Sequence, residues 1–377
     1  MEQISAANSG HMYGDLLPDD ALRLVFARTS YADHIRLRLV CKSWKRLLED
    51  EDIKPEFHRL PWIMFFDCHR VRVIESGRRL IWSSCKLYDP SSRKTYTVEE
   101  GVKSEQEGGK FVNAAILESK HGWVLFQQKH GSSNSTSTYN NINNATSSFF
   151  LYCPFTGETI DLPQLNRGVD QCTFSCSPTS KEEECVFFAF RYSYGRKDNV
   201  SIHCRGDQAW KTVEAGYGLR SRIFSVVYSN GTFYCLYENG ALGALTVATQ
   251  EWHLLCQGMK KIPWYPCFIE YDGQLTIVHE AWQTIFHFDF SKETWVEEAG
   301  HAWDGAVFGS RGIWSSNPLS ISALGDAEEL AGTVCLLPSP GISKYSLGVC
   351  LQRVDAYSNA DELSGMMKRV WIQPPNT

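Results

Sequence analysis

The order of apolar and polar positions divides the chain into two unequal parts. Between residues 16 and about 50, apolar side chains recur at three- and four-residue spacing, the mark of helices with one buried face. Leu17-Pro18-Asp19-Asp20 opens the first helix, because Pro is tolerated in a first turn and acidic residues there suit the helix dipole. Leu22, Val25 and Phe26 make its apolar face. Thr29 and Ser30 interrupt the run, and Ser30 or Asp33 is placed to cap the next helix. Ile35, Leu39, Val40, Trp44, Leu47 and Leu48 then continue the spacing through a second helical pair, with Lys42, Lys45 and Arg46 on the opposite side.

From Pro61 onward the period changes to that of strands. Runs of four to eight residues such as WIMFFD, GWVLFQ, SSFFLYC, CVFFAFRYS, FSVVYSN, TFYCLYE and QLTIVHE alternate with Gly, Asn, Asp and Pro. These runs repeat. Trp210, Trp252 and Trp295 lie 42 and 43 residues apart, and the glycine turns of SNGTFYCL and YDGQLTIV keep the same phase. Weaker copies end at Tyr96-Thr97-Val98 and Glu158-Thr159-Ile160, and residues 302–377 hold at least one more, finishing near Trp371. Four-stranded units at this spacing predict a β-propeller of about six blades, with seven as the alternative. The repeated Trp residues are expected to pack one blade on the next rather than stack a ligand. The Ser- and Asn-rich stretch 131–148 reads as a disordered insertion in a blade, and residues 1–14 as a disordered N-terminus.

The helical part is about 35 residues long, below the ~40 at which a domain usually needs outside help to fold. It nevertheless carries more apolar side chains than it can bury within itself, each worth roughly 1.5–3 kcal/mol when buried. Pattern alone leaves two destinations for them: the adjoining β domain, as a helical cap, or a partner protein.

Residues 17–48 resemble an F-box. Its landmarks appear in order: Leu17-Pro18, Val25-Phe26, Asp33 at the head of the second helix, and Val40-Cys41-Lys42-Ser43-Trp44. Thr29 and His34 depart from it, standing where the family more often has an apolar residue. With GWVLF, LYCPFTGETIDLP, FSCSPTS, CRGDQAWKTV and FHFDFSKETWVE coming after it in order, the whole chain resembles the plant F-box family with a C-terminal KIB-type β-propeller. The resemblance implies a mainly β protein with a three-helix F-box module at 15–55 and a propeller at 60–377. It further implies that Leu17, Pro18, Leu22, Val25, Phe26, Ile35, Leu39, Val40 and Trp44 form the adaptor-facing or module-stabilising set. The expected partners are a Skp-type adaptor, a cullin through it, and a protein substrate on the propeller.

Composition narrows the alternatives. A net charge of −6 argues against a nucleic-acid binder, and no apolar run reaches the length of a membrane span. The first fifteen residues lack a basic start and an apolar run, so a cytoplasmic or nuclear protein is expected. The 13 cysteines contain no Cys-x-x-Cys pair and read as small buried residues. The densest group, Cys172, Cys176, Cys185, His203 and Cys204, has irregular spacing for zinc. His203, His253, His279, His287 and His301 show no paired spacing of the kind a propeller oxidase would need, and Asp19-Asp20 and Glu297-Glu298 read as solvated helix starts or turns. No cofactor, metal or catalytic residue is therefore expected. The rival readings are a protein-binding propeller outside ubiquitination and a propeller enzyme.

Overall fold

The computed structural model describes residues 17–26, 29, 33, 36–38, 40–48, 60–73, 79–90, 92–104, 110–111, 114–130, 146–181, 183–191, 198–215, 221–259, 266–279, 284–298, 305–310, 319–322, 333–337 and 368–374. The chain divides into two compact units, the second beginning at Leu60. The expected disordered segment 1–14 lies outside the described residues, as does most of 131–148.

The first unit has helices α1 (Asp19–Phe26) and α2 (Lys42–Leu48). Three helices were expected; the described residues contain two, and between them only Asp33, Arg36 and Leu37 have helical backbone. Thr29 donates both its N–H and its hydroxyl to the Phe26 carbonyl, at 3.1 and 2.8 Å, and the Val40 N–H bonds the Leu37 carbonyl at 3.1 Å. Leu22 and Phe26 from α1 meet Leu47 and Leu48 from α2 in a small core, with Leu37 and Trp44 packed on its side.

The second unit is built of sheets whose strand pairs are antiparallel, save one pair in the last sheet. The first joins β1 (Trp62–Val73), β2 (Arg79–Asp89) and β3 (Lys94–Ser104) to the C-terminal β23 (Lys368–Ile372) in the order β23-β1-β2-β3. The second runs in chain order through β4 (Ala114–Lys120), β5 (Trp123–His130), β6 (Thr146–Tyr152) and β7 (Thr159–Asp161). The third holds β8 (Gln171–Phe174), β9 (Val186–Phe190), β10 (Asp198–Cys204) and β11 (Lys211–Ala215). The fourth holds β12 (Ile223–Ser229), β13 (Thr232–Tyr237), β14 (Leu242–Thr246) and β15 (Glu251–Cys256). The fifth holds β16 (Cys267–Tyr271), β17 (Gln274–His279), β18 (Thr284–Asp289) and β19 (Thr294–Glu298). A last sheet has three strands, β20 (Gly305–Ser310), β21 (Leu319–Ser322) and β22 (Thr333–Leu337).

Local sequence explains the hairpins. His121-Gly122, Asn230-Gly231 and Asp272-Gly273 each have positive φ at both positions, 53° and 77°, 48° and 77°, 49° and 75°. These two-residue turns match the twist of the strands they join, and Gly at the second position takes positive φ without a Cβ clash. Asp289 serves the turn after a third strand by accepting the N–H groups of Ser291 and Lys292 at 2.9 and 3.2 Å. Asp89 takes the same place in the first sheet, accepting the Ser92 hydroxyl at 2.7 Å.

Cores lie between neighbouring sheets. One joins Leu125, Phe149 and Leu151 of the second blade to Cys172, Phe174 and Phe187 of the third. The next joins Phe188, Val200 and Ile202 to Phe233, Cys235 and Trp252, and a further one joins Leu236 and Leu242 to Phe268, Phe288 and Trp295. The repeated Trp residues sit at these seams. The Trp210 indole donates to the Pro163 carbonyl of the preceding blade at 2.7 Å, and the Trp295 indole to Gly240 of the preceding blade at 3.1 Å. Trp252 lies flat over Gly243, where an added Cβ would fall 2.7 Å from the indole Cη2, so the small residue makes room for the large one.

Three expectations change. About six four-stranded blades were expected, with seven as the alternative; among the described residues there are five, plus the three-stranded sheet. Trp371 does not finish a blade of its own, because β23 pairs with β1, Ile63 opposite Trp371. Pairing β23 with β1 gives β1 a partner on both sides and joins the C-terminal strand to the first sheet, whose edges are then β23 and β3. In the three-stranded sheet β22 runs parallel to β20, so the up-and-down pattern of the other blades stops there. The insertion expected at 131–148 also gives way to a strand before its end. Thr146, Ser147 and Ser148 belong to β6, where the buried Ser147 accepts from the Gln127 side chain at 3.0 Å and donates to the Arg167 carbonyl at 3.2 Å.

Candidate functional site

The helical unit presents an apolar groove. Helix α1 begins where the Pro18 carbonyl accepts the N–H groups of Ala21 and Leu22 at 3.0 and 3.1 Å, and Asp19 and Asp20 occupy its first turn. Its inward positions Leu22 and Phe26 are 3% and 1% exposed, whereas Leu17, Val25 and Val40 are 54%, 53% and 56% exposed. The Trp44 ring meets the Phe26 ring edge-on at 5.3 Å, and its indole N–H has no hydrogen-bond partner among the described residues. Together these residues, with Thr29, Leu37 and the 3.1 Å ion pair of Arg36 and Asp33, line a groove of about 350 Å³.

The two roles left unseparated by sequence now separate. Leu22, Phe26 and Trp44 hold the unit together; Leu17, Pro18, Val25 and Val40 face outward. Ile35 and Leu39 lie outside the described residues. Leu37, which was not among the expected set, joins the core from between two arginines that obscure it in the sequence. Thr29, a departure from the family pattern, is half-buried in the groove and spends its hydroxyl on the end of α1. Leu24 is 68% exposed yet does not line the groove.

The F-box domain model matches residues 15–56, over this groove, and the KIB1-4 beta-propeller model matches residues 87–317. The chain belongs to the KIB1-4 β-propeller family and carries an F-box domain. Among its relatives in Arabidopsis thaliana is F-box protein At3g56470, 24% identical over 95% of this chain and 88% of that one. F-box/kelch-repeat protein At1g57790 is 25% identical over 75% of this chain and 72% of that one. F-box protein At1g49360 is 28% identical over 70% of this chain, which spans about half of that longer relative (49%).

Among the described residues no group of His, Cys, Asp and Glu converges as a metal site. Cys172, Cys176 and Cys185 are buried among Leu, Val and Phe side chains instead. Burial holds the Cys172 thiol well above the ordinary range and, with the neighbouring Cys176 thiol, pushes Cys185 up to about 12. His203 is buried between the Phe187 and Trp210 rings, at 5.8 and 5.3 Å, and burial lowers its pKa. His253 stands at the surface 3.8 Å from Glu251. The His279 side chain and His301 lie outside the described residues.

His287 differs from the others. Its Nδ1 is 3.0 Å from the Thr276 hydroxyl and its Nε2 is 2.5 Å from Glu298. This corrects the reading of Glu297-Glu298 as a turn, since both lie in β19 and Glu298 serves the histidine. The order Thr-His-Glu mimics a hydrolase relay. Thr276 is fully buried, however, and its hydroxyl also lies 3.3 Å from the Gln274 carbonyl. The three residues staple β17, β18 and β19 of one blade.

Proposed function

We propose that the protein is the substrate-recognition subunit of a Skp–cullin–F-box ubiquitin ligase. The groove of the F-box docks on a Skp-type adaptor, a cullin is engaged through that adaptor, and the propeller holds a target protein. The observation that carries this reading is the set Leu17, Val25 and Val40. These are large apolar side chains left more than half exposed beside a core that has four buried residues among those described, on a segment that matches the F-box domain. Three such residues on so small a unit are explained by a partner that covers them. No bond chemistry is asked of the chain itself. It supplies proximity, holding a target lysine near an activated ubiquitin at high effective concentration.

The test is reconstitution. The purified full chain is mixed with a recombinant plant Skp-type adaptor and a cullin–RING pair, and run on gel filtration. Co-elution of all three is expected, together with ubiquitin transfer to the receptor itself when the conjugating enzymes are added. A well-folded chain that leaves the adaptor unbound would refute the proposal.

A further inference from the structure

Strands β8 and β9 pair with Gln171 opposite Phe190 and Phe174 opposite Phe187. The Ser175 N–H to Val186 carbonyl bond, 2.9 Å, carries that register one step further. The next pair in the same register is Cys176 opposite Cys185. The Val186 N–H returns to the Ser175 hydroxyl at 2.9 Å, so these two residues bond each other and the cysteines beyond them fall at a position without bonds between them, where paired side chains approach most closely, with Cα atoms typically about 4.5 Å apart. That separation lies within the roughly 4.4–6.8 Å that a disulfide spans. Side chains on this face do meet: Phe174 and Phe187, the preceding pair on it, have ring centroids 6.0 Å apart. The Cys185 thiol already donates to the Cys176 carbonyl at 3.2 Å.

We infer that Cys176 and Cys185 form a reversible disulfide that ties β8 to β9 at the end of the third blade's first hairpin. The oxidant is a hydroperoxide. The Cys176 thiolate attacks its distal oxygen, the O–O bond breaks, and Cys176 becomes a sulfenic acid with release of hydroxide. The Cys185 sulfur then displaces the sulfenic OH, which takes the Cys185 proton and leaves as water, while the proton Cys176 gave up on becoming a thiolate neutralises the hydroxide. In sum, two thiols lose two electrons and two protons, and hydrogen peroxide becomes two waters. Cys176 is the attacked thiol because it is 8% exposed against 1% for Cys185. Cys185, neutral and enclosed, is the resolving one. No other described cysteine faces a second cysteine across a strand ladder. Cys172 lies opposite Ala189 and Cys235 opposite Val226 and Gly243.

The bond closes the connector 177–184, which includes Lys181. This makes the test direct, since trypsin cuts after Arg167, Lys181 and Arg191 and separates Cys185 from Cys172 and Cys176. The folded full chain is exposed to hydrogen peroxide, alkylated and digested. The expected result is that peptides 168–181 and 182–191 run as one species, two hydrogen masses lighter than their sum, and that dithiothreitol separates them. Two alkylation sites are lost, while Cys153 and Cys235 remain thiols. The link should persist in Cys172→Ser and vanish in Cys176→Ser. Fragment sequencing of the wild-type linked species places the bond even if a variant fails to fold. Absence of the link, a link through Cys172, or sulfinic acid at Cys176 without a link would overturn the inference.

Discussion

The sharpest prediction concerns the three exposed groove residues. Replacing Leu17, Val25 and Val40 together with Ala removes the outward apolar surface and leaves Leu22, Phe26, Leu47 and Leu48 in place. Fully burying a Leu or Val contributes roughly 1.5–3 kcal/mol. Each of the three is a little over half exposed, so docking can recover about half of that, or about 0.8–1.5 kcal/mol per residue. Loss of most of it at three sites sums to about 2–4 kcal/mol, which weakens adaptor binding roughly 30- to 1000-fold at 1.4 kcal/mol per factor of ten. The unit's own stability should move by no more than about 0.5 kcal/mol per exposed substitution. Phe26→Ala, by contrast, creates a cavity costing about 3–5 kcal/mol and should unfold the helical unit outright. Calorimetric titration with the adaptor, paired with circular dichroism of the same samples, separates the two effects. Tight binding by the folded triple variant would refute the assignment of the groove as the docking surface.

Three further predictions concern the propeller. Gly243→Ala drives a Cβ into the Trp252 indole and should lower the denaturant midpoint by the equivalent of about 1–3 kcal/mol, the usual cost of overpacking; an unchanged midpoint would show that the indole is not held there. His203 has its pKa lowered by burial, so the unfolded chain binds its proton more readily than the folded one. Its contribution to stability is thus complete above the ordinary imidazole value of about 6.5 and is lost as pH falls below it. His203→Phe, which keeps a ring between Phe187 and Trp210, should flatten the fall in melting temperature between about pH 7 and 5. Truncation before Lys368 removes β23 and exposes the edge of β1. Broadened thermal unfolding and concentration-dependent association are expected from scanning calorimetry and light scattering, whereas a sharp, monomeric transition would show that closure by β23 is dispensable.

Much of this architecture is legible in the chain because it rests on local rules. The spacing of Leu22, Val25 and Phe26 is helical whatever surrounds it, and Asn230-Gly231 and Asp272-Gly273 specify two-residue hairpins through the positive φ they tolerate. The phase of Trp210, Trp252 and Trp295 marks the fourth strands because each blade repeats the same seam. Where long-range pairing decides, sequence falls silent. Nothing near Trp371 announces that its strand completes the first sheet, 309 residues back from it to Trp62 (371 minus 62). Ser147 stands both in the Ser- and Asn-rich stretch and in the strand-like run SSFFLYC, and its pairing opposite Lys129 of β5 places it in a strand. Glu298 reads as a solvated charge until β18 brings His287 against it.

The helical unit shows the same division. Sequence alone determined that residues 17–48 carry an excess of apolar side chains in F-box order, because a periodic pattern of that kind depends only on neighbours three and four apart. Tertiary structure decided which of them are buried and which are exposed. Leu22 and Val25 are equally apolar and three residues apart, yet one is 3% exposed and the other 53%. The physical reason is that burial is a property of what packs against a side chain, and among the described residues Leu47 and Leu48 of α2 pack on the Leu22 and Phe26 side of α1.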